Sequence, residues 1–323
     1  MTGSRLALVA ICFAASMLTA PAHAQANPPG LIRIVVPFAA GGINDVAARL
    51  IQPYLEKALG QTVIVDNRPA ASGIVGTEAV AKAAPDGHTL LMVASSFTVL
   101  PATTAKLPYD SEHDLVPVAL VAKNPLFFVI NPAVAANTLG EFVALARRNP
   151  GKLNYATPGA ASQTRLVAEL FSQRAGITMQ QVPYRGGAPA IQAVVAGDTE
   201  FTVLSPLVSL PHIQSGRLRL LAVGGLTRHP QVPDVPTLAE AGFPDFEAIQ
   251  WIGLLTAAGT PEAIVSRLNA EVNRALEDPD LIDKLAQQGM SPAGGTASEF
   301  RTLIGREIKN WRDVARAANI RQE

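Results

Sequence analysis

The residues that combine a reactive type with a telling position sit at strand exits. In Ile34-Val35-Val36-Pro37-Phe38-Ala39-Ala40-Gly41-Gly42-Ile43-Asn44-Asp45, a short β-branched run ends at a proline that cannot extend a ladder. Two glycines then allow a sharp turn into a helix. The first N–H groups of such a helix lack partners and its dipole is positive there, which makes a site for an anion. The same residues also suit an ordinary strand-to-helix connection. Asn44 or Asp45 can cap the helix, and Val46, Leu50, Tyr54 and Leu55 recur on one face of it. Ser95 and Ser96 stand just past another strand, and Ser162 follows Thr157-Pro158-Gly159-Ala160-Ala161. These serines lack a nucleophile-elbow pattern, so covalent hydrolysis is not the expected chemistry. His88, His113, His212 and His229 are scattered without metal-ligand spacing, and Cys12 is the only cysteine. No catalytic residue, metal or cofactor is therefore expected.

Strands and helices must alternate to place those turns. Pro53 should kink or shorten the first helix. Residues 62–65 read as a second strand that exits through Asp66-Asn67-Arg68-Pro69-Ala70-Ala71-Ser72-Gly73 into a small-residue helix, and 89–93 as a third. After the turn Leu107-Pro108-Tyr109-Asp110, residues 116–121 read as an extended crossing segment and 126–130 as the start of a second series. That series holds a capping box Thr138-x-x-Glu141, strands near 153–156, 181–183 and 201–204, and turns at Pro158-Gly159 and Gly186-Gly187. A proline-rich connection at 230–244 leads to the extended 251–255. Thr260-Pro261 then opens a helix, and Thr296-x-x-Glu299 boxes a last one bearing Phe300, Leu303, Ile304, Ile308 and Trp311. The implied fold class is α/β, in two lobes with two inter-lobe crossings and hence a hinge.

The 323 residues suffice for two domains of ordinary size. Arg5, the apolar run 6–18 and Ala22-His23-Ala24 match a secretory leader, so residues 1–24 are read as a signal peptide and the mature chain as starting near Gln25. The remainder divides into 25–124 and 251–323 for a first lobe, 125–226 for a second, and 227–250 as the return connection. Beyond Arg5 the chain carries 25 basic and 26 acidic residues, with no long basic stripe for nucleic acid or an anionic membrane. No run reaches the roughly 18 apolar residues of a spanning helix, so an exported, soluble protein is expected.

Set side by side, these pieces resemble the Bug-type receptors of tripartite tricarboxylate transporters, a family of periplasmic solute-binding proteins. The resemblance spans nearly the whole mature length. It rests on Pro37-Phe38-Ala39-Ala40-Gly41-Gly42 with Asp45 and Arg49, Asn67-Arg68-Pro69-Ala70-Ala71, Pro85-Asp86-Gly87-His88-Thr89, Leu107-Pro108-Tyr109-Asp110, Pro183-Tyr184-Arg185-Gly186, Pro233-Asp234-Val235-Pro236-Thr237 and Ala258-Gly259-Thr260-Pro261. It implies a two-lobed flytrap fold of the periplasmic-binding-protein type that holds a small carboxylate between the lobes. The partners it implies are the membrane subunits of such a transporter, and a monomer is expected. Carried over residue by residue, the first-lobe pocket falls on Phe38, Gly41, Gly42, Asp45, Asn67, Ala70, Ala71, Ser95 and Ser96. The second-lobe pocket falls on Tyr155, Thr157, Gly159, Ser162, Tyr184, Gly186 and Ser205.

Each of these residues also has a structural reading. The glycines suit turns, Ser95 and Ser96 suit caps, Asp45 suits a partner inside its own lobe, and the tyrosines suit core with a polar tip. The chain departs from the family pattern at Ala70, where glycine is usual, at Pro158, where serine or glycine is usual, and at Arg165, where histidine is usual. Leu204-Ser205 carries no acidic partner for an ammonium group, which favours a carboxylate ligand without one, whether a di- or tricarboxylate or an aromatic acid. A receptor that reports to a membrane sensor would carry the same pocket, so that alternative stands beside transport. An exported hydrolase is disfavoured.

Overall fold

The computed structural model describes residues 30–159, 162–318 and 320. The leader read at 1–24 lies outside the described residues, as do Ala160 and Ala161 of the loop before Ser162. The chain runs β1 (Ile32–Val36), α1 (Ile43–Leu59), β2 (Val63–Asn67), α2 (Ile74–Ala81), β3 (Thr89–Ala94), α3 (Ser96–Thr103) and β4 (Leu115–Pro125). It continues through β5 (Phe127–Ile130), α4 (Leu139–Arg148), β6 (Asn154–Thr157), α5 (Gln163–Ala175), β7 (Gln180–Pro183), α6 (Gly187–Ala196), β8 (Phe201–Leu204), α7 (Pro206–Gln214) and β9 (Arg219–Val223). It closes with β10 (Ile249–Ala257), α8 (Glu262–Leu276), α9 (Pro279–Gln287), β11 (Ser291–Pro292) and α10 (Ala297–Ala317).

Two mixed sheets result, ordered β11-β4-β10-β3-β1-β2 and β7-β6-β8-β5-β9. In the first, β1 lies parallel between β2 and β3, and β10 runs antiparallel between β3 and β4. In the second, β6 lies parallel between β7 and β8, and β5 runs antiparallel between β8 and β9. Both faces of each sheet are covered, which is why the strands read as almost unbroken apolar runs. Ile32, Ile34, Val36, Leu90 and Met92 pack under α1, α8 and α9, while Val35, Leu91 and Val93 pack with Phe97, Phe300 and Ile304 on the opposite face. Phe128 and Ile130 pack with Phe142 and Phe171, while Phe127 and Val129 pack with Ile191 and Val194.

The chain passes between the sheets at Pro125–Leu126 and again through residues 224–248. The two passages are hydrogen-bonded to each other. Gly224 N–H donates to Leu126 O, Leu126 N–H to Ala248 O and Ala248 N–H to Gly224 O, each at 2.8 Å. A Cβ at Gly224 would lie 2.2 Å from Ala248 O, so only glycine fits there.

Three local readings differ from the sequence expectation. α1 continues through Pro53, which sits on the exposed face where the freed carbonyl can meet water, while Ala47, Ala48, Ile51 and Leu55 anchor the buried face. Residues 116–121 are not a crossing segment. They are the buried middle of β4, bonded to β10. α10 starts in the Thr296/Glu299 capping box and packs Phe300, Ile304 and Ile308 on the first sheet, but Trp311, Val314 and Ala315 belong to the second sheet's core. That helix is therefore shared by the two units.

Candidate functional site

The strand exits of both sheets face one another across a cavity of about 380 Å³. Phe38, Ser72, Ser96, Leu100 and Gln250 form its first-sheet wall, and Pro158, Gly159, Ser162, Gln163 and Thr164 the facing one. Ser96 is the first residue of α3, and Ser162 caps α5, accepting from Arg165 N–H at 3.3 Å. Two helix N-termini, with their partial positive charge, thus border a space whose ten lining residues include no ionisable side chain. An anion is the ligand such walls favour.

Of the residues that the sequence singles out, Phe38, Ser96, Gly159 and Ser162 come together on this cavity. The others sit elsewhere, and the structure shows what occupies them. Gly41 N–H donates to Asp45 Oδ2 at 2.8 Å, and Arg49 Nε donates to both Asp45 oxygens at 3.0 and 3.1 Å. Arg49 Nη2 continues to Asn67 Oδ1 at 3.1 Å, and Asn67 Nδ2 donates to Phe38 O at 3.2 Å. Burial alone would raise the Asp45 carboxyl. The bonds from Arg49, Gly41 and Asn67 outweigh it and hold the group below the usual carboxylate range. Asp45 is thus a clamp on the β1–α1 turn, and the helix starts at Gly42 without a side-chain cap from either Asn44 or Asp45. Gly42 and Ala70 are exposed, and Ala71 opens the short turn Ala71–Gly73.

Ser95 is fully buried and donates to Gln163 Oε1 at 2.6 Å. Tyr155 is buried with its hydroxyl donating to Glu169 at 2.5 Å, and burial, with that carboxylate, pushes its phenol above the ordinary value. Arg165 Nε lies 4.0 Å from the same carboxylate, so this arginine belongs to an internal cluster. Thr157 donates to Gly159 O at 3.0 Å and accepts from Gln181 at 2.7 Å, which shapes the loop under the cavity. Tyr184 packs against the core around Ile191, and Gly186 precedes α6 with φ 116°. Ser205 precedes α7, whose Pro206 abuts Gly289 of the first unit: a Cβ at Gly289 would lie 2.7 Å from Pro206 Cβ.

Sequence reasoning missed Ser72, Leu100, Gln163, Thr164 and Gln250. Ser72 has φ 56°, a left-handed conformation that non-glycine residues rarely adopt, so no composition signal marks it. Pro158, noted only as a departure, is a wall of the cavity.

Residues 47–320 match the model of the tripartite tricarboxylate transporter family receptor. The chain belongs to this family. It is 39% identical to the UPF0065 protein in the tcbD-tcbE intergenic region of Pseudomonas sp. strain P51, over 97% of this chain and 94% of that one. It is 37% identical to protein BugT of Bordetella pertussis, over 96% of each chain. Among solved structures, R. palustris Rpa4515 with adipate superposes with a TM-score of 0.81 at 31% identity, covering 91% of this chain and 99% of that one. MatC (Rpa3494) from Rhodopseudomonas palustris with bound malate gives 0.76 at 34% identity, covering 88% and 98%. The two-sheet α/β architecture of this receptor is that of periplasmic binding proteins.

Proposed function

We propose that this receptor works in the periplasm, after removal of residues 1–24, and binds a small carboxylate without an ammonium group in the cavity between its sheets. It delivers that ligand as a monomer to the membrane subunits of a tripartite tricarboxylate transporter and performs no catalysis on it. In this reading the lobes are 25–124 with 251–323, and 125–226, joined again through 227–250. One observation carries the reading: two helix N-termini and a set of hydroxyls and amides wall a cavity with no ionisable side chain in its lining. Its volume lies at the small end of ligand pockets, and Phe38, Leu100 and Pro158 give an apolar body something to lie against. The neighbours whose structures hold adipate and malate support a carboxylate. An ammonium group would meet no carboxylate in these walls and would lose its hydration without recompense.

Calorimetry under one buffer and salt tests the reading, comparing succinate with aspartate and an aromatic acid with its amino-bearing analogue. The plain acids should bind at least about tenfold more tightly, roughly 1.4 kcal/mol. A zwitterion that wins either pair by that margin overturns the exclusion of ammonium ligands.

A further inference from the structure

Gln163 is the first residue of α5, on the second sheet's side, yet both ends of its amide are bonded to the first sheet's side. Its Oε1 accepts from Ser95 Oγ at 2.6 Å, and its Nε2 donates to Ile249 O at 3.0 Å. Ile249 O can only accept, so the amide has one orientation, with NH2 toward β10 and oxygen toward Ser95. That leaves the second Nε2 proton uncommitted to these two partners, on a residue that lines the cavity.

The first-unit end of this contact is held firmly. Ser95 is fully buried, its N–H donates to Trp251 O at 3.0 Å, and its carbonyl accepts from Thr98 N–H at 3.1 Å. Thr98 Oγ1 lies 2.7 Å from Ser95 O and 2.8 Å from Glu307 Oε2, and Trp251 Nε1 donates to the same carboxylate oxygen at 2.9 Å. β3, β10, α3 and α10 therefore hold the backbone of the residue whose hydroxyl Gln163 engages. With only 3% of its surface exposed, Gln163 has these bonds well shielded from water. Breaking them while the units stay together would leave a buried amide and a buried hydroxyl unpaired.

We propose that Gln163 is a positioning residue that latches α5 to the first unit and sets the share of molecules in the closed form. Opening the cleft has to break both bonds at once, and the same side chain lines the cavity. Closure and ligand contact are thereby coupled through one amide. The inference concerns the site proposed above, but its test is made without ligand, so a failure of carboxylate binding and a failure of the latch are separate results.

The test is an inter-spin distance measurement on the exported protein, which lacks Cys12 once residues 1–24 are removed, with spin labels at Lys57→Cys and Gln173→Cys. Both positions are exposed, one on α1 and one on α5. The parent should show the separation expected from this structure. Gln163→Met keeps the length of the side chain but neither bond, and should lower the ratio of closed to open molecules about fivefold or more, the effect of one or two net hydrogen bonds. Ser95→Ala should do nearly the same, and adding it to Gln163→Met should do little more. Ser95→Thr, which keeps the hydroxyl, should retain the parent's distribution. Melting curves on the same samples separate opening from unfolding. A Gln163→Met distribution that matches the parent's in folded protein overturns the proposal, as does a parent that lacks the short distance.

Discussion

Two turns of this molecule follow one plan and serve different ends. Both the β1–α1 turn and the β6–α5 turn leave a strand through proline and glycine and open a helix whose first amides lack helical partners. In the β1–α1 turn an acceptor comes from within: Asp45 takes the Gly41 N–H, and Arg49 and Asn67 lock the carboxylate in place. In the β6–α5 turn the helix is capped by Ser162, a neutral residue that itself faces the cavity. The Gly41 amide is thus engaged within its own turn while α1 starts without a side-chain cap, whereas the cap of α5 is itself a residue of the cavity wall.

The largest effect that would break this comparison is on stability. Asp45→Ala strips the Gly41 amide and Arg49 of their shared buried acceptor, and should cost about 2 to 3 kcal/mol in urea unfolding. Because the Asp45 carboxyl is held below its unfolded value, its contribution is present above the usual carboxylate range and fades as pH falls through the lower folded value. The gap between parent and variant should therefore narrow on acidification below about pH 4. An unchanged unfolding midpoint would mean that the clamp holds nothing.

Next in size is the contrast in affinity. Ser96→Asp puts a negative charge on the cavity wall and should weaken carboxylate binding at least about tenfold, near 1.4 kcal/mol. Ala40→Asp, on the exposed β1–α1 turn, should change it by less than about threefold. Calorimetry with succinate reads both, and equal losses would erase the distinction between the turns. The smallest effect sharpens it: Ser162→Ala removes the cap of α5 and should lower stability by about 1 kcal/mol in thermal melts. A loss of that size with unchanged affinity would leave Ser162 with a capping role alone.

The fold was readable because apolar periodicity and turn chemistry are local. The apolar runs of β1 and β3, the Thr296/Glu299 box and the paired series of strand exits all lie within a few residues of sequence. The limits of α1 and α10 were less readable, because which face of Pro53 meets water, and which core receives Trp311, depend on distant segments. The site followed the same rule. Phe38, Ser96, Gly159 and Ser162 were marked by their own neighbours in sequence. Gln163 is defined by Ser95, 68 residues away, and Gln250 by its place in β10, a strand that the chain reaches only after both crossings. The Asp45 clamp was written beside Gly41 all along, and reading it needed only the question of which acceptor the turn's own amides meet first.

α10 has a mechanical meaning. At 1.5 Å per residue its 21 residues make a rod about 32 Å long, seated by Phe300, Ile304 and Ile308 on one unit and by Trp311 and Val314 on the other. The paired passages at Gly224 and Ala248 can bend, but a stiff rod fixed at both ends cannot lengthen. Swinging the units apart must drag the Trp311 end across the surface of α5, and close-packed side chains slide only a short way before their contacts are lost. The rod is thus a second tie between the units beside the paired passages, and it resists their separation at the Trp311 end.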